Sequence, residues 1–275
     1  MNDLRGNFGR RMKIMLAILV VAAWLLPLYW LVNVALKTQA QLMVPRPTFI
    51  FHPTFENFST AIFQYKILWV ALHSLIIASV ATLLTLFLAL LFVYGATRFD
   101  FRFRIPLLIW TLNLRMLPPI AIVIPFYVFY SQVGLIDTYT GMILAYLTLT
   151  LPLAIWLMYG FAQEIPRSID EAARMDGANR WQILRDMILP LMWPALAVAG
   201  TFCFLEIWNE FVFALILTGP RTKTVPIGLS EFITEHAVEW GPMAAAALML
   251  LLPLLVITFF LQRSLVRGLT LGAVR

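Results

Sequence analysis

The sequence predicts an all-α, polytopic membrane protein with six transmembrane helices and one charged helix outside the membrane, between the fourth and fifth spans. Three observations lead to this fold class: 61% of the 275 residues are hydrophobic, only 12% are charged, and the apolar residues fall into six long runs. Soluble domains contain about 45–50% apolar and about 25% charged residues. A soluble fold of this length would lack the polar surface to cover such a core.

Each apolar run is long enough to cross a membrane, since about 20 helical residues span the roughly 30 Å of hydrocarbon. Lipid offers no partners for backbone N–H and C=O groups, so such runs form helices. The predicted spans cover residues 13–36, 68–95, 105–131, 139–161, 188–217 and 241–261. The expected organisation is an N-terminal part with the first span and an outer loop (1–67), a core with five spans (68–262) and a cytoplasmic tail (263–275).

The first span begins at Lys13 and follows Arg5, Arg10 and Arg11, as the apolar region of a secretory signal follows basic residues. Its apolar run is longer than in such signals and no small-residue cleavage site follows, so we expect a retained signal-anchor helix. Prolines within the spans leave two interpretations open: ordinary kinks, or helix breaks beside a pathway, where other groups satisfy the freed carbonyls. These prolines are Pro27, Pro118, Pro119, Pro125, Pro152 and Pro253.

The distribution of Lys and Arg predicts the orientation. With the N-terminus in the cytoplasm, fourteen of the twenty basic residues lie in cytoplasmic segments, five lie outside and Arg115 lies within a span. Membrane proteins place their excess of basic residues in cytoplasmic loops. Both termini are therefore expected in the cytoplasm. The net charge of +6 follows from topology and does not indicate binding to nucleic acid.

A charged segment separates the fourth and fifth spans. Residues 164–186 hold nine of the 34 charged residues, so this segment lies outside hydrocarbon. Ser168 and Glu171 predict a capping box, and Gly177 predicts a left-handed helix end. A second cap-like pattern begins at Asn179. We expect two short helices joined by a sharp turn, on the cytoplasmic surface, which dock on another protein; a plain connector is the alternative.

The motif Glu171-Ala172-Ala173, followed by Gly177 and Leu189-Pro190, resembles the EAA motif of permease subunits in bacterial ABC importers. Met187 stands where that pattern usually has isoleucine, which is an apolar exchange. Within this superfamily the chain is most similar to the maltose-type carbohydrate permeases, in particular the smaller of their two paired permease subunits. Further matching segments are residues 208–211 (WNEF), 224–229 (TVPIGL), 262–263 (QR) and 268–274 (GLTLGAV).

The resemblance implies that the charged segment is a coupling helix seated in a cleft of a cytoplasmic ATPase subunit. Its contact residues would be Glu171, Ala172, Ala173, Arg174, Asp176 and Gly177. The implied partners are a second homologous permease, two ATPase subunits that bind ATP and Mg²⁺, a periplasmic or lipid-anchored binding protein, and membrane lipid. The chain itself would hold no cofactor and no metal. It has no phosphate-binding Gly-x-x-x-x-Gly-Lys-Ser/Thr loop, so it is not expected to hydrolyse ATP.

Polar side chains within membrane spans are costly and therefore mark candidates for a solute path. The candidates are Asn113, Arg115, Tyr127, Glu206, Trp208, Asn209 and Glu210. Glu206 and Glu210 are four residues apart and would share a helix face. Trp208 or Tyr127 would offer a sugar a stacking surface. An internal ion pair between Arg115 and a glutamate, which would hold helices together, remains equally open.

Two other function classes are weaker. A proton-coupled secondary carrier for a small polar solute would use Glu206 and Glu210 as a relay, but such carriers commonly contain internal repeats, and none is evident between the two halves. A membrane enzyme would need a nucleophile–base pair or a metal cluster, whereas His52, His73 and His236 are scattered. The sequence thus predicts an importer of a sugar or polyol. Which solute it carries, and whether the second permease is a different chain or an identical copy, stay open.

Overall fold

The computed structural model describes residues 2–44, 48–235 and 237–271, with side chains described for residue 10 and for residues 12–44, 48–235 and 237–259. In chain order the helices are α1 (Asn2–Ala35), α2 (Gln39–Leu42), α3 (Glu56–Phe63), α4 (Ile67–Arg98), α5 (Arg104–Leu114), α6 (Pro119–Val133), α7 (Tyr139–Glu164), α8 (Ser168–Met175), α9 (Arg180–Gln182), a π-helical segment (Ile183–Ile188), α10 (Leu189–Trp208), α11 (Val212–Leu217), α12 (Val225–Ser230) and α13 (Trp240–Leu271). The all-α fold class is confirmed. Pro45, Pro47, His236 and residues 272–275 lie outside the described residues, as do the tail's side chains.

Five helices of the described chain are long and apolar enough to cross a membrane, and a bent helix pair makes six if it counts as one span. That pair is α5 and α6, which meet at 93°. Of the two interpretations left open for the prolines, the structure thus shows a helix break within the predicted span 105–131. The break lies at Pro118 and Pro119, where proline lacks an N–H and disfavours helical backbone in the preceding residue. The remaining span prolines lie inside continuous helices, namely Pro27, Pro125, Pro152 and Pro253.

The fifth predicted span also differs from the structure. The helical run extends from Arg180 to Trp208, and the chain breaks there before the short helix α11. Within this run the π-helical segment is marked by the Leu189 N–H, which donates to the Leu184 carbonyl five residues back. Pro190 follows immediately and has no N–H to donate to the preceding turn. The wider turn therefore lies where a regular helix would lose a backbone hydrogen bond.

The chain divides into two compact units, residues 1–67 with 229–251 and residues 68–228 with 252–275. In the first unit the end of α1 is fixed by Asn57, whose amide donates to the carbonyls of Ala35 at 2.9 Å and Lys37 at 2.7 Å. These bonds satisfy carbonyls that a helix end leaves without a partner. Ala35 also packs against Ala244 and Ala245 of α13. Small residues of this kind let membrane helices approach closely.

In the second unit α4, α7 and α10 pack closely around a common core. The hydroxyls of Thr85 on α4 and Thr150 on α7 lie 2.7 Å apart, and both residues are fully buried. The thiol of Cys203 on α10 lies 3.7 Å from the Thr150 carbonyl. A Cβ added to Gly200 would lie 3.1 Å from Leu86 Cδ1, so the backbone of α10 packs closely against the Leu86 side chain of α4. This core supports one end of α8.

Candidate functional site

The charged helix α8 begins after a proline turn. Helix α7 ends where Ile165 precedes Pro166, and Ile165 has the extended backbone that proline imposes on its predecessor (φ −79°, ψ 115°). Arg167 is the N-cap and makes no side-chain cap bond. The predicted capping box between Ser168 and Glu171 is therefore wrong. Ser168 is already the first residue of the helix, and the Glu171 N–H donates to the Arg167 carbonyl at 3.1 Å.

The end of α8 has the predicted left-handed stop. Gly177 has φ 84° and donates its N–H to the Arg174 carbonyl at 3.0 Å. The Ala178 N–H donates to the Ala173 carbonyl at 2.9 Å. These two bonds form a Schellman motif, for which glycine is the preferred residue. Nothing lies within 4 Å of a Cβ added to Gly177, so the backbone conformation alone requires glycine here.

The second helix start is confirmed as well. The Asn179 side chain accepts from the Gln182 N–H at 2.9 Å, and the Gln182 side chain accepts from the Asn179 N–H at 2.7 Å, a reciprocal capping box. Next to it, the Arg180 guanidinium lies 4.7 Å from the centre of the Phe99 ring. The Tyr94 hydroxyl donates to the Arg180 carbonyl at 3.5 Å. The turn after α8 is thus attached to the last residues of α4.

Helix α8 has a buried and an exposed face. Asp170 and Ala173 are 3% and 6% exposed, and Ala173 joins the hydrophobic core of the second unit. The exposed face consists of Glu171, Ala172, Arg174 and Met175. Met175 is 88% exposed, although it is a large apolar residue outside the candidate spans. Of the six residues predicted to couple, Ala173 is buried and the other five are exposed.

A buried ion pair fixes α8 to α4. Arg98 Nε lies 2.9 Å from Asp170 Oδ2, and both side chains are 5% exposed. Arg98 also donates to the Ile165 carbonyl at 3.3 Å, and Arg167 donates to the Thr97 carbonyl at 3.1 Å. The short contact is not aligned as a hydrogen bond, and neither Asp170 oxygen receives an aligned donor. Sequence reasoning missed this pair because its members are far apart in the chain.

The structure joins two of the predicted path residues. Arg115, at the break between α5 and α6, lies with Nη2 at 2.8 Å from Oε1 of Glu206 on α10. The side chains are 35% and 28% exposed, so the pair is half-buried. This contact is the internal ion pair that the sequence left open beside a path-lining role. Asn113 is exposed near the end of α5, and Tyr127 is 47% exposed on α6.

Glu210 lies beyond the end of α10, so it does not share a helix face with Glu206, contrary to the prediction. Its carboxylate accepts from the Phe213 N–H at 3.0 and 3.1 Å and from the Ala214 N–H at 3.2 Å. A negative charge is stabilised at a helix N-terminus, where N–H groups lack intrahelical partners. The Glu210 carboxylate thus satisfies N–H groups in the first turn of α11. Sequence reasoning had no signal for this helix, because the apolar run continues through it.

The two residues before Glu210 face different surroundings. Trp208 is 2% exposed and stacks on Phe204 with ring centres 5.6 Å apart, so its ring belongs to the protein interior. Asn209 is exposed, and its amide donates to the Leu205 carbonyl at 2.8 Å. Of the two aromatic candidates for stacking on a solute, Tyr127 alone presents an exposed ring in this chain.

A polar joint that the sequence did not reveal surrounds Asp137. Its carboxylate accepts from the N–H groups of Gly219 (2.9 Å), Arg221 (3.2 Å) and Thr222 (3.0 Å) and from the Thr222 hydroxyl (2.8 Å). Burial favours the neutral acid, but the hydrogen bonds from Thr222, Arg221 and Gly219 hold the pKa of Asp137 below its ordinary value. Asp137 has φ 55°, a left-handed conformation that Asp tolerates. The joint ties the turn before α7 to the segment after α11.

No group of three or more His, Cys, Asp or Glu side chains lies together within the described parts of the chain. His73 packs edge-on against the Tyr139 ring, with ring centres 5.9 Å apart, and His52 is exposed. Neither arrangement has the geometry of a metal site. The polar features that bear on function are the exposed face of α8 and the polar groups near the break between α5 and α6 and the break between α10 and α11.

Comparisons with known proteins agree on one family. Residues 81–271, a stretch that includes α8, match the model of the binding-protein-dependent transport system inner membrane component family. The trehalose/maltose transport system permease protein MalG of Thermococcus litoralis is 34% identical over 269 residues, covering 94% of each chain. The trehalose transport system permease protein SugB of Mycobacterium tuberculosis is 34% identical over 265 residues, again covering 94% of each chain.

The fold agrees with this assignment. A chain from the crystal structure of a bacterial ABC transporter involved in the import of the acidic polysaccharide alginate superposes with a TM-score of 0.74, at 22% identity, covering 92% of this chain and 96% of that one. A chain from the inward-facing MetNI methionine ABC transporter superposes with a TM-score of 0.58, at 18% identity, covering 74% of this chain and 95% of that one. The chain belongs to the family of binding-protein-dependent transport system inner membrane components.

Proposed function

We propose that this chain is the permease subunit of an ATP-driven importer that carries a sugar or polyol across the bacterial inner membrane. Family membership supports the importer, and the relatives' names support the solute class. The relative from Thermococcus litoralis is named as a permease for trehalose and maltose, and the one from Mycobacterium tuberculosis as a permease for trehalose. A further relative, from Streptomyces coelicolor at 30% identity, is named as a permease for diacetylchitobiose. The chain is not itself an enzyme, because separate subunits supply ATP hydrolysis in such importers.

The observation that carries the coupling role is the exposed face of α8. Glu171 and Arg174 present charges of opposite sign, Ala172 permits close approach, and Met175 exposes an apolar side chain. A plain connector would not need a Schellman stop, a second capping box and a buried ion pair to hold it. We propose that an ATPase subunit covers this face. Asp176 and Gly177, exposed beside it, complete the contact.

The proposed assembly contains a second permease, two ATPase subunits and an external binding protein. ATP and Mg²⁺ bind to the ATPase subunits, and this chain holds no cofactor. Both termini and α8 lie in the cytoplasm. The orientation is supported by the basic side chains at the α8 end, which are Arg98, Arg167, Arg174, Arg180 and Arg185.

The solute would pass beside the two helix breaks. Arg115 neutralises Glu206, and the N-terminus of α11 compensates Glu210. The surroundings therefore offer hydrogen-bonding groups with little uncompensated charge, which suits an uncharged solute rich in hydroxyls. Asn209 and Tyr127 are the exposed members of this set that could contact it.

The test is ATP-driven uptake by proteoliposomes that contain this chain with a partner permease, the ATPase subunits and a binding protein. Labelled trehalose, maltose and glycerol would be compared with and without ATP at the ATPase side. Glu171→Lys and Gly177→Pro should both abolish uptake while the chain still inserts into the membrane. Proline fixes φ at about −65° and has no N–H, so it cannot form the stop at φ 84°.

The matched control is Glu56→Lys. It reverses the charge of another exposed glutamate in the first turn of a helix, α3, but not on α8. Uptake should stay near the unmodified level in this variant. Normal uptake with Glu171→Lys and Gly177→Pro would contradict the docking role. Uptake that persists without ATP and collapses with the proton gradient would contradict the importer itself.

A further inference from the structure

We infer that Arg98 and Asp170 are positioning residues that join the coupling helix α8 to α4, so that a displacement of α8 reaches the membrane through α4. The inference rests on the proposed function, because it concerns the site on which the ATPase would act. It assigns no ATPase contact to either residue. Both are buried, on the side of α8 that faces away from the exposed face.

The first support is the burial of two opposite charges. Both side chains are 5% exposed, whereas those of the Arg185–Asp186 pair nearby are 67% and 42% exposed. Removing two charges from water is costly, and an apolar pair of similar volume is often at least as stable. A buried ion pair therefore contributes to fixing one geometry more than to stability. The geometry fixed here is that of α8 on the last turn of α4.

The second support is the number of independent attachments at the same end of α4. The Thr97 carbonyl accepts from Arg167, just before α8, and Arg98 also reaches the Ile165 carbonyl. Beyond α8, Arg180 contacts Tyr94 and lies over Phe99. The segments before, within and after α8 thus all contact residues 94–99. The end of α4 forms a seat for the whole coupling segment.

The third support is that charge attraction, and not an aligned hydrogen bond, joins Arg98 to Asp170. Arg98 Nε and Asp170 Oδ2 are 2.9 Å apart, but the contact lacks the alignment of a hydrogen bond. A hydrogen bond weakens steeply as its angle closes, whereas charge attraction depends mainly on distance. The pair therefore constrains the distance between α8 and α4 more strictly than the angle between the two side chains. That property suits a joint that transmits motion.

The experiment measures ATP hydrolysis and solute uptake in the same proteoliposomes, together with co-purification of the ATPase subunits. Asp170→Asn keeps nearly the same volume and leaves the exposed face of α8 unchanged. The ATPase should still co-purify, while uptake per ATP should fall by about fivefold or more, as expected when a coupling contact is removed. Arg98→Gln should act alike. The double variant Arg98→Asp with Asp170→Arg, which exchanges the two charges, should recover much of the lost uptake per ATP.

Asp186→Asn is the matched control, since it removes a carboxylate from the exposed pair with Arg185 and should leave uptake per ATP unchanged. Unchanged uptake per ATP in Asp170→Asn and Arg98→Gln would overturn the inference. Loss of ATPase binding in Asp170→Asn would also overturn it, because the pair would then shape the docking face. If the single variants fail to accumulate, the double variant with exchanged charges tests the inference. Uptake by that variant supports the positioning role of the pair, and a lack of uptake contradicts it. An unmodified complex without ATP-driven uptake would refute the proposed function instead.

Discussion

Replacing Asp137 should loosen the segment 219–222 while leaving the membrane helices in place. The carboxylate accepts three backbone N–H groups and one hydroxyl at 2.8–3.2 Å, all from this segment. Asp137→Asn keeps the size of the side chain and tolerates the left-handed backbone, but it replaces the anion with a neutral amide. Asp137→Gly removes the side chain and suits the same backbone. The two variants separate the role of the charge from that of the side chain.

The expected loss follows from the hydrogen bonds. A bond to a charged group contributes about 1.5–3 kcal/mol, and bonds that share one acceptor are not additive. Asp137 is partly exposed, so water replaces some of the lost bonds. We expect a decrease in the free energy of unfolding of about 2 kcal/mol for Asp137→Asn and about 3 kcal/mol for Asp137→Gly.

The assay is denaturant or thermal unfolding of the purified chain in detergent, combined with amide hydrogen exchange at Gly219, Arg221 and Thr222. Those three amides should exchange faster in both variants. Asp100→Asn is the control, because the Asp100 side chain is 77% exposed and surface ion pairs contribute about 0–1 kcal/mol. Equal losses of stability in Asp137→Asn and Asp100→Asn, or unchanged exchange at the three amides, would refute the reasoning.

The same joint should make stability depend on acidic pH. The hydrogen bonds hold the pKa of Asp137 below its ordinary value of 3.8 in the folded chain. The contribution of the Asp137 carboxylate to the free energy of unfolding is therefore complete above the ordinary pKa. It is lost as the pH falls through the lower pKa of the folded chain. As the pH falls below about 4, unmodified protein should therefore lose more stability than Asp137→Asn. Parallel unfolding curves for the two proteins across that range would contradict the assignment.

Three further sites give simple expectations, measured by thermal unfolding in detergent. Gly177→Ala should lower the free energy of unfolding by about 1–2 kcal/mol, because φ 84° is left-handed and the added Cβ meets nothing within 4 Å; no loss would contradict a conformational role. Gly219→Ala should lower it by about 1–3 kcal/mol, since its Cβ would lie 2.6 Å from Asp137 Oδ2; a neutral result would mean that the joint adjusts freely. Arg115→Gln and Glu206→Gln should be non-additive by about 1 kcal/mol in a double-mutant cycle; strict additivity would argue against the ion pair.

The parts of the charged segment that could be predicted are those set by local chemistry. Gly177 ends α8 because its backbone is left-handed, and Asn179 with Gln182 starts the next helix by reciprocal capping. The capping box at Ser168 failed for an equally local reason. Helix α7 ends just before Pro166, and Arg167 is already the N-cap of α8. Ser168 is therefore the first residue inside the helix and not its cap. A serine pattern alone does not show where the preceding turn ends.

The features that could not be predicted depend on residues distant in sequence. Arg98 and Asp170 have no shared local pattern, and Asp137 meets a segment more than 80 residues away. Proline positions were visible, but their effects were not. The double proline after Arg115 breaks a span, whereas Pro152 lies inside the continuous α7, where it is buried and surrounded by other helices. Packing decides whether a lost backbone bond ends a helix.

The six-residue π-helical segment Ile183–Ile188 sets the rotational direction of α8 relative to α10. A π turn holds an extra residue, and each residue of an α-helix turns the chain by about 100°. Deleting one residue here would allow a regular helix to form. That shorter helix would keep the rotational direction of α8, whereas the full set of residues wound as a regular α-helix would rotate everything before the segment by about 100° around the axis of α10. Met175 and Glu171 would then point elsewhere with their chemistry unchanged, so the wider turn fixes the direction in which α8, the helix before it, presents these side chains.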